Sequence, residues 1–354
     1  MIMDLTDLRI GYVPISDKFD QPGDNRRFCY YAKKRNIAFE IANPAESYDL
    51  VIVTELGDLS IWSEYDKGNT KIIYDFIDSY LAISRWNPKG LLRGIAKYVA
   101  GHSRYLRINH WKAIESMCRR ADAVICSTVE QRQDISKFCE NIHIILDFHS
   151  KITRHVKTDY SIGHQVNLVW EGRPENVTGI AQIKEALVQL SNKYRLSLHI
   201  ITDLEYKKYM NKIGKISIVN EIRRIFNDSI VYLYQWNPEM LSRIITGCDI
   251  AVIPLNTKDS LTYGKPENKL LLFWRMGIPT VTSATPAYIR AMDKCGLQLY
   301  CQDNKEWVEK LEKLIVDSKA RKHAGMKGKK CADTFYSQEH YLKQWDNLLQ
   351  SVLT

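Results

Sequence analysis

The chain has 354 residues, 45% of them hydrophobic and 26% charged, a balance that buries real cores and is long enough for two domains. A formal net charge of +9 favours an acidic partner: a nucleic acid, a phosphorylated small molecule or an anionic membrane face. No apolar run is long enough to span a bilayer, and the opening MIMDLTDLRIGYVPI carries acids and enters a strand without the order of a signal peptide, so a cytoplasmic chain is expected.

In chain order, RIGYVPI (9–15) reads as a strand, followed by a polar loop and a helical FCYYAKKRN (28–36). YDLVIVTE (48–55), KIIYDFID (71–78), ADAVICST (121–128) and NIHIILDF (141–148) are apolar runs with polar borders, the pattern of buried parallel strands. Residues 149–165 are polar and lack a core pattern, and 151–165 are read as a linker. The alternation restarts with VNLVWEG (166–172), the amphipathic IAQIKEALVQLSNKY (180–194), and strands LSLHIIT (196–202), SIVYLYQW (229–236), DIAVIPLN (249–256) and one near 279–283. Three helical stretches close the chain. Strands alternating with helices predict two doubly wound, Rossmann-like α/β domains, 1–150 and 166–335, facing each other across a cleft, with a last helix at 336–354.

Eight cysteines, among them Cys126, Cys248, Cys295 and Cys331, show no C-x-x-C spacing, which predicts reduced buried thiols rather than a metal or disulfide framework. The histidines show no H-x-x-x-H pattern. No nucleic-acid reading module is evident, so nucleic acid is not the expected partner of the positive charge.

The stretch GKPENKLLLFWRMGIPTV (264–281) places a polar loop before a helix and stops that helix with Gly-Ile-Pro. The loops EGRPENVTG, TDLEY, YQWNPEM and NTKDSLTYGKPENK all follow strands of the second domain. Ligands of open sheets bind at such edges. These loops offer Gly172, Arg173, Trp236, Lys258, Lys265, Glu267, Asn268 and Lys269, and a helix N-terminus flanked by lysines suits a diphosphate.

The run from DIAVIPL through KPENKLLLFWRMGIPTV resembles the C-terminal signature of family 4-type glycosyltransferases with the GT-B fold. YQWNPEMLSRIITGCDIAVIPL, WEGRPEN and VICSTVEQRQDI followed by NIHIILD resemble other parts of the same pattern. The resemblance covers most of residues 120–285. It implies a nucleotide-diphosphate sugar donor held by the second domain. It also implies a glycan or polyprenyl-linked acceptor held by the first, retention of anomeric configuration, and a last helix crossing back to the first domain. Two glutamates common in that pattern fall at Gly264 and Leu272, and neither residue is acidic. Ribose recognition must therefore differ, and a non-catalytic protein of the same fold is the alternative reading.

Arg173 follows Gly172 as in the family's G-R pattern, and Lys258, Lys265 or Lys269 would complete the basic set. These are the candidate diphosphate contacts. Glu267 and Asn268 are candidate sugar contacts and Trp236 a candidate for the base edge. No D-x-D is present, so neither metal nor cofactor is expected. In the first domain Asp24, in DNRR (24–27), and Asp78, in DFID (75–78), are the candidate catalytic residues, the latter to orient or deprotonate an acceptor hydroxyl. Residues 85–112 mix Lys and Arg with Leu, Ile, Val, Tyr and Trp, a composition suited to the inner, anionic face of a membrane.

Overall fold

A computed structural model describes residues 7–84, 87–207, 213–226 and 231–354. The chain forms two compact units: residues 1–148 with 264–266 and 338–354, and residues 149–263 with 267–337.

The first unit is a six-stranded parallel sheet. Its strands are β1 (Ile10–Val13), β2 (Glu40–Ile41), β3 (Leu50–Thr54), β4 (Lys71–Asp75), β5 (Ala123–Cys126) and β6 (Ile142–Ile144). They lie in the order β2-β1-β3-β4-β5-β6, with every pairing parallel. β3, β4 and β5 are almost wholly buried, which explains their continuous apolar sequence.

The second unit repeats the plan. β7 (Val166–Glu171), β8 (Leu196–Thr202), β11 (Val231–Gln235), β12 (Ile250–Ile253), β13 (Thr280–Ser283) and β14 (Tyr300–Cys301) lie in the order β11-β8-β7-β12-β13-β14. A separate antiparallel hairpin, β9 (Glu205–Lys207) and β10 (Ile213–Ser217), is inserted after β8. The helix Asn268–Arg275 ends as its sequence dictates: Gly277 takes φ +70°, the left-handed conformation that glycine supplies at a helix end.

The terminal helix Gln338–Leu353 crosses back to the first unit. Tyr341, Leu342, Trp345, Leu348, Leu349 and Val352 enter the cluster around Tyr12 and Phe28. Trp345 stacks on Tyr31, with ring centroids 5.4 Å apart.

Two expectations are corrected. The polar run 149–165 is not an uncommitted linker. Lys157 donates to the carbonyl of Cys248 at 2.8 Å, Tyr160 donates to the carbonyl of Gly277 at 2.8 Å, and Arg321 donates to the carbonyl of Tyr160 at 2.8 Å. Its polar groups satisfy buried backbone, so it packs without an apolar pattern. Cys295 and Cys331 form a disulfide, with Cα atoms 5.9 Å apart. Thirty-six residues separate them in sequence, and no motif marks the pair.

At the carboxyl edge of the first sheet Arg27 is fully buried. It donates to Asp75 at 2.8 and 2.6 Å, to the carbonyl of Ile145 at 2.9 Å and to Asp147 at 3.2 Å. Burial opposes the charge, yet Asp75 and Asp147 hold the guanidinium above its ordinary value. Removing one partner of such a pair leaves an uncompensated buried charge, a cost of about 3–5 kcal/mol. Asp75→Ala is expected to lower the unfolding free energy by about that amount in urea titration; a change near zero would show that Asp147 alone suffices.

Candidate functional site

In the second unit the strand order reverses between β7 and β12, and open parallel sheets bind ligands at the carboxyl ends beside such a point. β7 ends there in Glu171, followed by Gly172 and Arg173. Lys269, in the first turn of the helix Asn268–Arg275, donates Nζ to the carbonyl of Glu171 at 2.7 Å. The same ammonium lies 4.7 Å from the centroid of the Trp170 ring. A Cβ on residue 172 would stand 2.0 Å from Lys269 Nζ and 2.9 Å from the Trp170 ring. Gly172 thus leaves the space that the ammonium occupies in this structure. Trp236, just past β11, donates its ring N–H to the Glu171 carboxylate at 3.1 Å.

Gly172, Lys269 and Trp236 are thus brought together, with Glu171, a buried carboxylate that the sequence reading passed over. Its only signal was its place at a strand end before glycine. Trp236 spends its ring N–H on this carboxylate. Arg173 is exposed and pairs with Glu175 at 3.2 Å. Lys258 is exposed in the loop after β12. Glu267 caps the helix and accepts from Tyr336 Oη at 3.5 Å, and Asn268 is the first helical residue. Lys265 is placed differently from expectation: Gly264–Pro266 belong to the first unit, where Gly264 accepts from Ser79 Oγ at 3.1 Å.

In the first unit Asp24 is corrected from a catalytic candidate to a loop holder. It is fully buried, and its carboxylate accepts from Tyr12 Oη at 2.8 Å and from the backbone N–H groups of Ile15 at 2.8 Å and Ser16 at 3.1 Å. Those bonds shape the turn after β1 and leave it turned away from solvent.

Asp78 lies half-buried past the end of β4. Beside it is Glu55, past the end of β3, whose Oε2 accepts the Asp78 N–H at 2.9 Å. Burial, reinforced by Asp78, pushes the Glu55 carboxyl up to about 8, against the Asp78 N–H bond and Arg27. Glu55 is the acidic group that the sequence reading missed: it ends a strand already counted as core.

The segment 85–112 forms the helix Pro88–Val99, a connecting loop and the start of the helix His110–Arg120; Arg85 and Trp86 lie outside the described residues. The first helix is turned opposite to the usual amphipathic rule. Leu92, Ile95, Tyr98 and Val99 are exposed, while Lys97 is 5% exposed. Gly94 makes the seating possible, because a Cβ there would stand 1.7 Å from the carbonyl oxygen of Arg107. Arg93 donates to Tyr80 Oη at 3.0 Å and lies 4.3 Å from the Tyr80 ring centroid.

No protein-family model matches this sequence, and no curated protein matches it. Solved structures do. HepE of Anabaena in complex with UDP-glucose is similar at a TM-score of 0.62 and 11% identity, over 97% of this chain and 100% of that one. The sucrose-phosphate synthase of Thermosynechococcus elongatus is similar at 0.58 and 13% identity, over 96% of this chain and 80% of that one. A variant of S. aureus TarM in complex with fondaparinux, α-GlcNAc-glycerol and UDP gives 0.57 and 14% identity, over 84% of this chain. This chain spans 55% of that TarM chain. The likeness establishes the GT-B fold, two parallel six-stranded α/β units.

Glu55 gives this edge a pH signature. A carboxyl raised in the folded state contributes stability that is full below its unfolded value, near 4.5, and is lost as pH rises to about 8. Asp78, Asp75, Arg27, Lys97 and Tyr80 surround it and stay in place in Glu55→Gln. The amide can still accept the Asp78 N–H but carries no proton to lose. Urea midpoints of the variant are expected to equal wild type at low pH and exceed it above the raised value; parallel profiles would show that Glu55 titrates normally.

Proposed function

We propose that this chain is a glycosyltransferase that moves a sugar from a nucleoside-diphosphate donor to a glycan or lipid-linked acceptor. The observation that carries this reading is the ammonium of Lys269, seated on Gly172 at the strand-order reversal and at the first turn of a helix. Transfer breaks the bond between the anomeric carbon and a diphosphate oxygen, and negative charge gathers on that oxygen. A cation and helix N–H groups fixed at one edge favour that charge before it forms. Arg173 extends the same edge from the Gly172 side. In this reading the side chains supply the positive charge without a divalent cation. The resemblance to family 4 favours retention, with the leaving phosphate taking the acceptor proton. The bound UDP-glucose and UDP of two similar structures make uridine diphosphate the first nucleotide to try.

One observation favours a second reading. Leu272 stands where the family's ribose-binding glutamate falls, and it is 2% exposed within the core. Ribose hydroxyls need another partner here, and a non-catalytic nucleotide-binding protein of the same fold would have no need to replace that acid.

A thermal-shift series with UDP, GDP, CDP, ADP and dTDP, with and without EDTA, separates the readings in its first step. A ligand that binds only the folded state raises the melting temperature by mass action. One diphosphate is expected to raise it with EDTA present, and Lys269→Ala to abolish the shift. Hydrolysis of the matching nucleotide sugar then marks an enzyme; binding without any turnover, with acceptors supplied, marks the second reading. No response to any diphosphate would sink both.

We further propose that the exposed face of the helix Pro88–Val99 rests on an anionic bilayer, a role favoured by Leu92, Ile95, Val99, Tyr105, Leu106 and Ile108, all exposed, with Arg104 beside them. Among the described residues no helix is long and apolar enough to cross a membrane. The protein is expected to sediment with phosphatidylglycerol vesicles and not with phosphatidylcholine, and Val99→Glu to reduce that binding several-fold. Equal sedimentation of the variant would overturn the proposal.

A further inference from the structure

The outward apolar face of the helix Pro88–Val99 has an inward counterpart that the donor chemistry does not use. Lys97 is 5% exposed, and among the described residues no hydrogen bond or ion pair reaches its ammonium. Arg93, one turn earlier, touches Tyr80 and no carboxylate. The two cations act on each other, and Glu55 and Asp58 offset them only at a distance. The nearby carboxylates are engaged elsewhere. Glu55 accepts the Asp78 N–H, and Asp58 accepts from Ser60 N at 3.0 Å, Ser60 Oγ at 2.6 Å and Arg104 N at 2.7 Å. His110, the first residue of the helix His110–Arg120, is 5% exposed and lies edge-on to Tyr80, with centroids 6.4 Å apart. Burial, then Lys97 and Arg93, hold its ring neutral, with its value lowered to about 3.

Two adjacent inward cations without a contacting carboxylate are costly in a folded protein unless an anion completes them. Burial, with Arg93, lowers Lys97 to about 8, so the ammonium is held in a form that gains from a bound anion. Two positive groups on successive turns of one helix, one of them bonded to a tyrosine hydroxyl, suit a doubly charged phosphate better than a single carboxylate. Glu55 and Asp78 also act on Tyr80, and carboxylates suit sugar hydroxyls rather than phosphate.

We propose that Lys97, Arg93 and Tyr80 form a phosphate-binding site for an acceptor that carries a phosphate or diphosphate, its hydroxyl-bearing part lying toward Glu55 and Asp78. The proposal rests on the transferase reading for the word acceptor. The phosphate site itself stands on the Lys97 ammonium, unpartnered among the described residues, with Arg93 one turn away. The phosphate has two sources, a soluble sugar phosphate or the headgroup of a lipid-linked one, and the exposed face of the same helix makes both worth testing.

The experiment uses the full chain without nucleotide. Inorganic pyrophosphate and glucose 6-phosphate are titrated by calorimetry into wild type, Lys97→Met, Arg93→Gln and Lys269→Ala. Lys97→Met is expected to weaken binding about 10- to 100-fold, the loss of a charged hydrogen bond, and Arg93→Gln to act in the same direction. Lys269→Ala is expected to leave one binding event intact, since its ammonium belongs to the other unit. Lys97→Met also removes a buried cation, so its unfolding midpoint should not fall; it serves as the folding control. Binding of glucose 6-phosphate that depends on Lys97 assigns a soluble acceptor. Lys97-dependent binding only to phosphatidylcholine vesicles doped with a polyprenyl phosphate assigns a lipid-linked one. Equal affinities in wild type and Lys97→Met, or no binding to any of these probes, overturns the proposal. Lys97-dependent binding in a protein that ignores every nucleoside diphosphate would keep this site and discard the transferase reading.

Discussion

Arg27 sets the terms for the first unit, because a buried guanidinium must be met by carboxylates and carbonyls or the fold around it does not close. Its partners come from the ends of β4 and β6, through Asp75, Asp147 and the carbonyl of Ile145. Tyr341, from the helix Gln338–Leu353, donates to its own carbonyl at 2.7 Å. One residue therefore ties two strand ends through its side chain and the returning C-terminal helix through its carbonyl. The consequence for chemistry is exclusion. Asp75 is committed to Arg27 and Asp24 to the turn after β1, so the acids left at this edge are Glu55 and Asp78.

In the second unit the governing constraint is space rather than charge. Lys269 Nζ lies where a Cβ on residue 172 would stand, so any larger residue there must displace it. Its ammonium meets the carbonyl of Glu171 and the face of Trp170. The two units thus place charge by different means. The first buries an ion pair that holds strand ends, and the second seats a lysine ammonium at the strand-order reversal, where ligands of such sheets bind.

Much of this was legible in the sequence, for a physical reason. β3, β4, β5, β7, β8 and β12 are buried on both faces, so their apolar runs announce them, and Gly277 announces the end of its helix. The short elements were not legible. β2 and β14 have two residues each, and the hairpin β9–β10 joins neither large sheet. The site was legible by position and less so by role. Gly172 and Lys269 do lie side by side, as a glycine at a strand end and a lysine at a helix start suggest. Asp24 was misjudged, since a polar residue after a strand serves a turn as readily as a ligand. Glu55 and Glu171 were missed because each ends a run that reads as core. The pairing of Cys295 with Cys331 depends on two helices meeting, and spacing carries no sign of that.

The helix Pro88–Val99 shows where periodicity stops informing. A 3.6-residue pattern separates an apolar face from a charged one, yet it does not say which face is inward. Here the ordinary assignment is reversed, and both faces of the reversal cost free energy in water: exposed Val99 and Leu92 on one side, and on the other Lys97, unpaired among the described residues. A close backbone fit at Gly94 fixes the reversed seating against the carbonyl of Arg107, so the helix is not free to roll and relieve either cost. Two independent penalties on one rigidly seated element have a common remedy: an apolar surface outside and an anion inside. An amphiphile with a phosphorylated head supplies both at once, and a soluble phosphate supplies only the inner half. In the two proposals together, the orientation of a single helix links the bilayer outside it to the phosphate inside it.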